Sequence, residues 1–97
     1  MLLEVCFASP AGLARALAAH AGRFEVCSRL DLDGLTPADE LLRSALATGV
    51  PCFAMVRPRG GSHVFGRHEH AELRADLARV KALGAHGVVL GALTPDG

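Results

Sequence analysis

The tripeptide Glu-Val-Cys occurs twice, as Glu4-Val5-Cys6 and as Glu25-Val26-Cys27, each inside a short apolar run. Side chains alternate along a strand, so Glu and Cys of each copy share one face while Val takes the other. Two such strands side by side and parallel would gather two thiols and two carboxylates on one surface. Thiolates and thioethers are soft donors that suit Cu(I), and Met55, near the end of a third apolar run, is expected on the same side. Cys6, Cys27 and Met55 are therefore the candidate metal ligands. Against this stands the plainer role of small cysteine side chains filling a tight interior. Glu4 and Glu25 are the candidate catalytic acids, since one of two neighbouring carboxylates with a raised pKa can move a proton in a dry cavity.

The same carboxylates could instead pair with Arg57 or Arg59, which continue the alternation of Phe53 and Met55, because buried charges are nearly always paired. The two guanidinium groups also suit a carboxylate or phosphate, and Gly60 and Gly61 would let the loop backbone approach such a group. Arg57, Arg59, Gly60 and Gly61 are thus the candidate anion-binding residues. His68-Glu69-His70 invites a metal reading, but residues two apart do not face each other on a helix, and the stretch reads as a surface feature. His20 suits a helix C-terminus, and Cys52 alternates out of phase with Phe53 and Met55, which assigns it to packing against helices.

These groups are useful only if the chain positions them. Leu2 to Phe7 reads as a first strand, followed by Ser9 as a helix cap and Pro10 at the first helical position. The stretch Ala11 to Ala21 is helical and stops at Gly22, a natural left-handed residue. Arg23 to Ser28 is a second strand, and Arg29 to Leu35 a loop. Thr36-Pro37-Ala38-Asp39 repeats the helix-start signal, and the helix runs to about Thr48 and Gly49. Val50 to Val56 is a third strand, broken by Arg57-Pro58-Arg59-Gly60-Gly61, and Ser62 to Glu69 is a loop. Leu73, Leu77 and Val80 form the apolar stripe of a third helix ending near Gly84, and Gly87 to Leu90 is a fourth strand.

The order β-α-β-α-β-α-β, with short connections and near-continuous apolar strands, predicts an α/β fold with parallel pairing and right-handed crossovers. No Gly-x-Gly-x-x-Gly turn follows the first strand, and the polar residues gather toward strand C-terminal ends, where barrel enzymes keep their sites. Residues 1–97 therefore read as a single partial domain, the first half of a TIM (β/α)8 barrel. Thr94-Pro95-Asp96-Gly97 is a helix-start signal without its helix, which predicts a truncated chain. A half-barrel that completes itself by pairing with a second copy through its open sheet edges is the other solution.

With 51% hydrophobic residues and a formal net charge of +0, the composition is globular and gives no electrostatic warrant for nucleic acid or an anionic membrane as partner. No apolar run reaches the ~18 residues of a membrane span, and no export signal is visible. Three cysteines at irregular spacing are not a disulfide framework, which points to a reducing, cytoplasmic setting.

The motifs add up to a resemblance. Leu3-Glu4-Val5-Cys6, Phe24-Glu25-Val26-Cys27-Ser28, Gly34-Leu35-Thr36-Pro37, Met55-Val56-Arg57-Pro58-Arg59-Gly60-Gly61 and Gly87-Val88-Val89-Leu90-Gly91-Ala92-Leu93-Thr94, with Asp96-Gly97, occur in the order and spacing of the CutC family. The chain resembles the N-terminal part of such a protein. The resemblance implies a TIM barrel and a cytoplasmic protein tied to copper homeostasis, with copper as the ligand. It leaves open a barrel enzyme acting on a small anionic metabolite, and a non-functional fragment. Two departures touch the loops: Ser62-His63-Val64-Phe65-Gly66-Arg67-His68 replaces a segment usually richer in acids and aromatics, and Asp33 stands where a first glycine is usual.

Overall fold

The computed structural model describes residues 2–91. Eight elements follow in chain order: β1 (Glu4–Phe7), α1 (Pro10–Ala18), β2 (Arg23–Val26), a 3₁₀ turn (Leu30–Leu32), α2 (Asp39–Leu46), β3 (Cys52–Met55), α3 (Arg67–Leu83) and β4 (Gly87–Val89). The strands form one four-stranded sheet in the order β1-β2-β3-β4, all parallel. Each crossover moves one strand along in the same direction. That winding belongs to a barrel; an open doubly wound sheet reverses its order part-way. The expected α/β architecture is the one observed.

Period-two alternation decides what each face carries. Phe7, Phe24, Val26, Cys52, Ala54 and Val56 point to the helix layer and are buried against Leu13, Ala16, Leu41, Leu42, Ala45, Leu73 and Val80. Phe7 and Phe24 meet edge to face at 5.1 Å. The opposite face carries Glu4, Cys6, Arg23, Glu25, Phe53 and Met55, none of them fully buried. This chain therefore has one core, between sheet and helices, and an open inner face.

Helix α1 starts as its sequence predicts, with the Ser9 hydroxyl accepting from the Gly12 amide at 3.0 Å. Gly12 is needed for a second reason: a Cβ there would lie 2.7 Å from Phe7 Cβ. The helix packs on β1 too closely for any side chain. Gly12→Ala should therefore destabilise the fold by about 1–3 kcal/mol through overpacking, against the roughly 1 kcal/mol that alanine brings to a helix interior. A urea unfolding midpoint equal to or above wild type would show that this contact is loose.

Several local expectations are corrected. Strand β1 begins at Glu4, after exposed Leu2 and Leu3, and β2 ends at Val26, because Ser28 turns away to bridge Leu35. Strand β3 is shorter than expected at both ends, and β4 stops at Val89, before Leu90. The left-handed residue after α1 is His20 (φ 56°), not Gly22. Thr36 does not cap α2. The cap position is Ala38, without a side-chain bond, and the Thr36 hydroxyl instead accepts from the Arg57 amide at 2.9 Å and lies 3.2 Å from an Asp76 carboxylate oxygen. Helix α3 begins at Arg67, because Glu69 reaches back to accept from the Gly66 amide at 2.9 Å. No helix among the described residues is long and apolar enough to cross a membrane. The start signal at Thr94–Asp96 lies outside the described residues.

Candidate functional site

The two Glu-Val-Cys copies share a face but are staggered. Glu4 pairs with Arg23 and Cys6 with Glu25, so Cys27 lies beyond Cys6 along the strand direction. Even so, the sulfurs of Cys6 and Cys27 approach to 3.5 Å, bringing the two thiols of the sequence reading together. Cys27 is buried and its thiol is also 3.5 Å from the Phe7 carbonyl oxygen; Cys6 is exposed. Burial pushes the Cys27 thiol up to about 12, with the Cys6 hydrogen bond adding to it. Burial likewise raises the Cys6 thiol, against the lowering effect of its bond to Cys27. Both are thiols, not thiolates, at neutral pH.

Met55 reaches the same corner. A Cβ placed on Gly34, in the loop after β2, would sit 3.3 Å from Met55 Cε and 3.5 Å from Cys27 Sγ. Gly34 has φ 94°, so the loop turns there without a side chain and its backbone packs close against both sulfur-bearing residues. The donors gathered here are soft: two thiols side by side, with the Met55 methyl end packed against the same glycine as Cys27. They suit Cu(I) by type. Among the described residues no group of three or more His, Cys, Asp or Glu assembles, so a harder ion preferring three or four such ligands finds no ready cage here.

The carboxylates do not pair with Arg57 or Arg59. Glu4 forms an ion pair with Arg23, whose guanidinium also lies over the Phe53 ring at 4.7 Å. That hydrogen bond holds the Glu4 carboxyl below its ordinary range. Glu25 moves the other way: burial raises it, and the neighbouring Glu4 charge raises it further. The pair is thus split into an ionised Glu4 and a more readily protonated Glu25. Arg23 was legible as a member of this face, two residues before Glu25 on the same strand.

Arg57 and Arg59 lie past the end of β3, which stops at Met55. Arg57 is 7% exposed and donates to the Leu32 carbonyl at 2.9 Å and the Gly61 carbonyl at 2.8 Å, tying the loops after β2 and β3 together. Arg59 turns outward to an ion pair with Glu69, donates to the Ser62 and Val64 carbonyls at 2.7 and 2.9 Å, and stacks on Phe65 at 4.9 Å. Its guanidinium is already occupied. Gly60 accepts from Arg59 through its carbonyl, and Gly61 takes φ 82°. The Gly66-x-x-Glu69 spacing, one half of a capping box, was the signal for this arrangement. His68 and His70 sit exposed in the first turn of α3, and Cys52 is buried on the helix side, its thiol raised to about 11 by burial.

Known proteins resemble this chain throughout. The CutC family model matches residues 1–97. A CutC family protein of Caulobacter vibrioides (strain NA1000 / CB15N) is 42% identical over 97 residues, covering 100% of this chain and 40% of the relative. One from Sinorhizobium medicae is 44% identical over 97 residues with the same coverage, 100% and 40%. The crystal structure of a CutC protein from Streptococcus agalactiae, provisionally assigned to copper homeostasis, superposes with a TM-score of 0.89 at 32% identity, over 99% of this chain and 48% of that one. The chain thus spans about 40% of the length of these curated relatives.

Proposed function

Because the chain belongs to the CutC family, whose signature runs across residues 1–97, we propose that it contributes the thiol-bearing part of a copper-handling barrel. In this reading Cys6 and Cys27 take Cu(I), with Met55 as a third, weaker donor. The observation that supports it is the 3.5 Å approach of the two sulfurs on a face that is otherwise open. Cys6, the exposed thiol, meets the ion first, and Cys27 holds it from the buried side. Both thiols must lose a proton to bind, and Glu25, level with Cys6 across the strand pair, is placed to accept one. The affinity is then modest and the ion readily passed on, since protons compete for both sulfurs. A reducing compartment such as the cytoplasm keeps the thiols free for this role.

Titration of the reduced chain with Cu(I) against a competing chelator tests the reading. Cys6→Ser and Cys27→Ser should each weaken binding by at least about tenfold, or about 1.4 kcal/mol, and Met55→Leu by less. Far-UV circular dichroism of the variants checks that the fold survives. Wild-type affinity in Cys27→Ser would remove the two-sulfur site.

A further inference from the structure

A second place on the molecule has unused chemistry. The loops after β2 and β3 and the C-terminal end of β4 enclose a cavity of about 460 Å³, lined among others by Asp33, Arg57, Gly61, His63, Val89 and Gly91. This is the end of the sheet where successive βα loops converge, the end at which α/β folds take their ligands. Arg57 lies in its wall, 7% exposed. Two of its five N–H donors are satisfied by carbonyls, and its Nε is buried without a partner. Every ion pair among the described residues joins an arginine other than Arg57 to a carboxylate. Carbonyl dipoles orient this guanidinium but do not neutralise it. A buried cation without a directly paired anion is costly, so the fold keeps a guanidinium at the cavity wall that no carboxylate contacts, Asp33 in the same wall included.

The surrounding backbone is held in unusual conformations. Arg29, Asp33 and Gly34 in one loop and Gly61 in the other all have positive φ, and Arg57 bridges the two loops. His63 ties the second loop to the end of β4 through a 3.3 Å contact with the Gly91 carbonyl. A guanidinium fixed at two points is preorganised to present its remaining donors in one direction. Asp33, a carboxylate in the same wall, repels a bare anion and favours one that also carries a donor.

We propose that this cavity is a binding site for a small ligand with an oxyanion head, carboxylate or phosphate, taken by Arg57, and a hydroxyl or ammonium group that donates to Asp33. Arg59, which the sequence pairs with Arg57 in this role, has no part in it. The site needs no metal and uses neither cysteine, although Met55, the weaker donor of the copper site, also lines its wall.

The test is an assigned proton–nitrogen NMR titration of the full chain with acetate, lactate and inorganic phosphate, each matched by sodium chloride at equal ionic strength. Saturable shifts are expected at the Arg57 Nε–H and the Gly61 and Gly91 amides, with a Kd on the order of 1 mM. Lactate should bind severalfold tighter than acetate. In Asp33→Asn, a substitution that tolerates the left-handed backbone, acetate should tighten and the difference between the two acids should vanish. Phosphate exceeding both acids would make phosphate the head group, and the reverse would make it carboxylate. Shifts no larger than those from chloride, or equal shifts at surface Arg15 and Arg43, overturn the proposal. So does an unchanged acetate–lactate ratio in Asp33→Asn. Arg57→Met should abolish the saturable response; because it also removes the loop brace, the wild-type and Asp33→Asn titrations decide the matter without it.

Discussion

Phe24→Ala is expected to lower the unfolding free energy by about 3–5 kcal/mol, while Phe53→Ala on the same sheet should lose only about 1 kcal/mol. The two residues occupy neighbouring strands but opposite faces. Phe24 is 0% exposed, in edge-to-face contact with Phe7 and surrounded by the helix-layer core. Phe53 is only partly buried, covered on the inner face by the Arg23 guanidinium. Removing Phe24 loses the transfer energy of a whole ring and leaves a cavity between sheet and helices that cannot fully collapse. Removing Phe53 loses its partly buried contacts with Arg23 and Gly87 but leaves no closed cavity, because the ring lies on the open inner face. Folded domains hold a total of about 5–15 kcal/mol, so the first variant is expected to populate its unfolded state measurably and the second to remain folded. Urea denaturation of both, with unchanged m-values, measures the difference. Equal midpoint shifts would mean that the inner face contributes as much core as the helix layer.

That asymmetry of faces could be read from the sequence, because it needs only a period of two. Val5 and Val26 were assigned to one face and Glu and Cys to the other, and the structure places them so. Element order and parallel pairing followed from the cap signals and the β-α-β succession, and the shared face of Cys6 and Cys27 from the period of two. What could not be read was every contact made after the chain leaves the sheet. Alternation carried past Met55 puts Arg57 and Arg59 together on the inner face; Arg57 does line a cavity that Met55 also lines, whereas Arg59 turns out to Glu69 and the loop carbonyls. Thr36 looked like a cap because Thr-Pro-x-Asp is a cap pattern. Its hydroxyl is used instead to fasten the end of β3, a long-range bond to Arg57 that no local pattern encodes. Register was likewise invisible. Two identical tripeptides suggest alignment, and the strands adopt a stagger that still brings the sulfurs together.

The stagger has a consequence for pH. Cys27 sits behind Phe7 and its thiol is raised to about 12, and the Cys6 thiol is raised as well, in both cases chiefly by burial. Each thiol therefore carries its proton throughout the physiological range, and taking up an ion by both sulfurs releases two protons. Each released proton makes affinity rise tenfold per pH unit for as long as the pH stays below that thiol's pKa. If the copper reading is right, Cu(I) affinity should climb by about a hundredfold per unit between pH 6 and 8, and by about tenfold in Cys6→Ser. The sign is fixed: raised thiol pKa values weaken binding as pH falls. At lower pH, where its raised carboxyl keeps a proton taken from a thiol, Glu25 makes the slope shallower. Competition titrations at three pH values, corrected for the chelator's own proton dependence, give the slope directly. A flat profile would mean that neither thiol binds as thiolate. A wild-type slope of one proton would assign the ion to a single sulfur and leave the other as part of the wall.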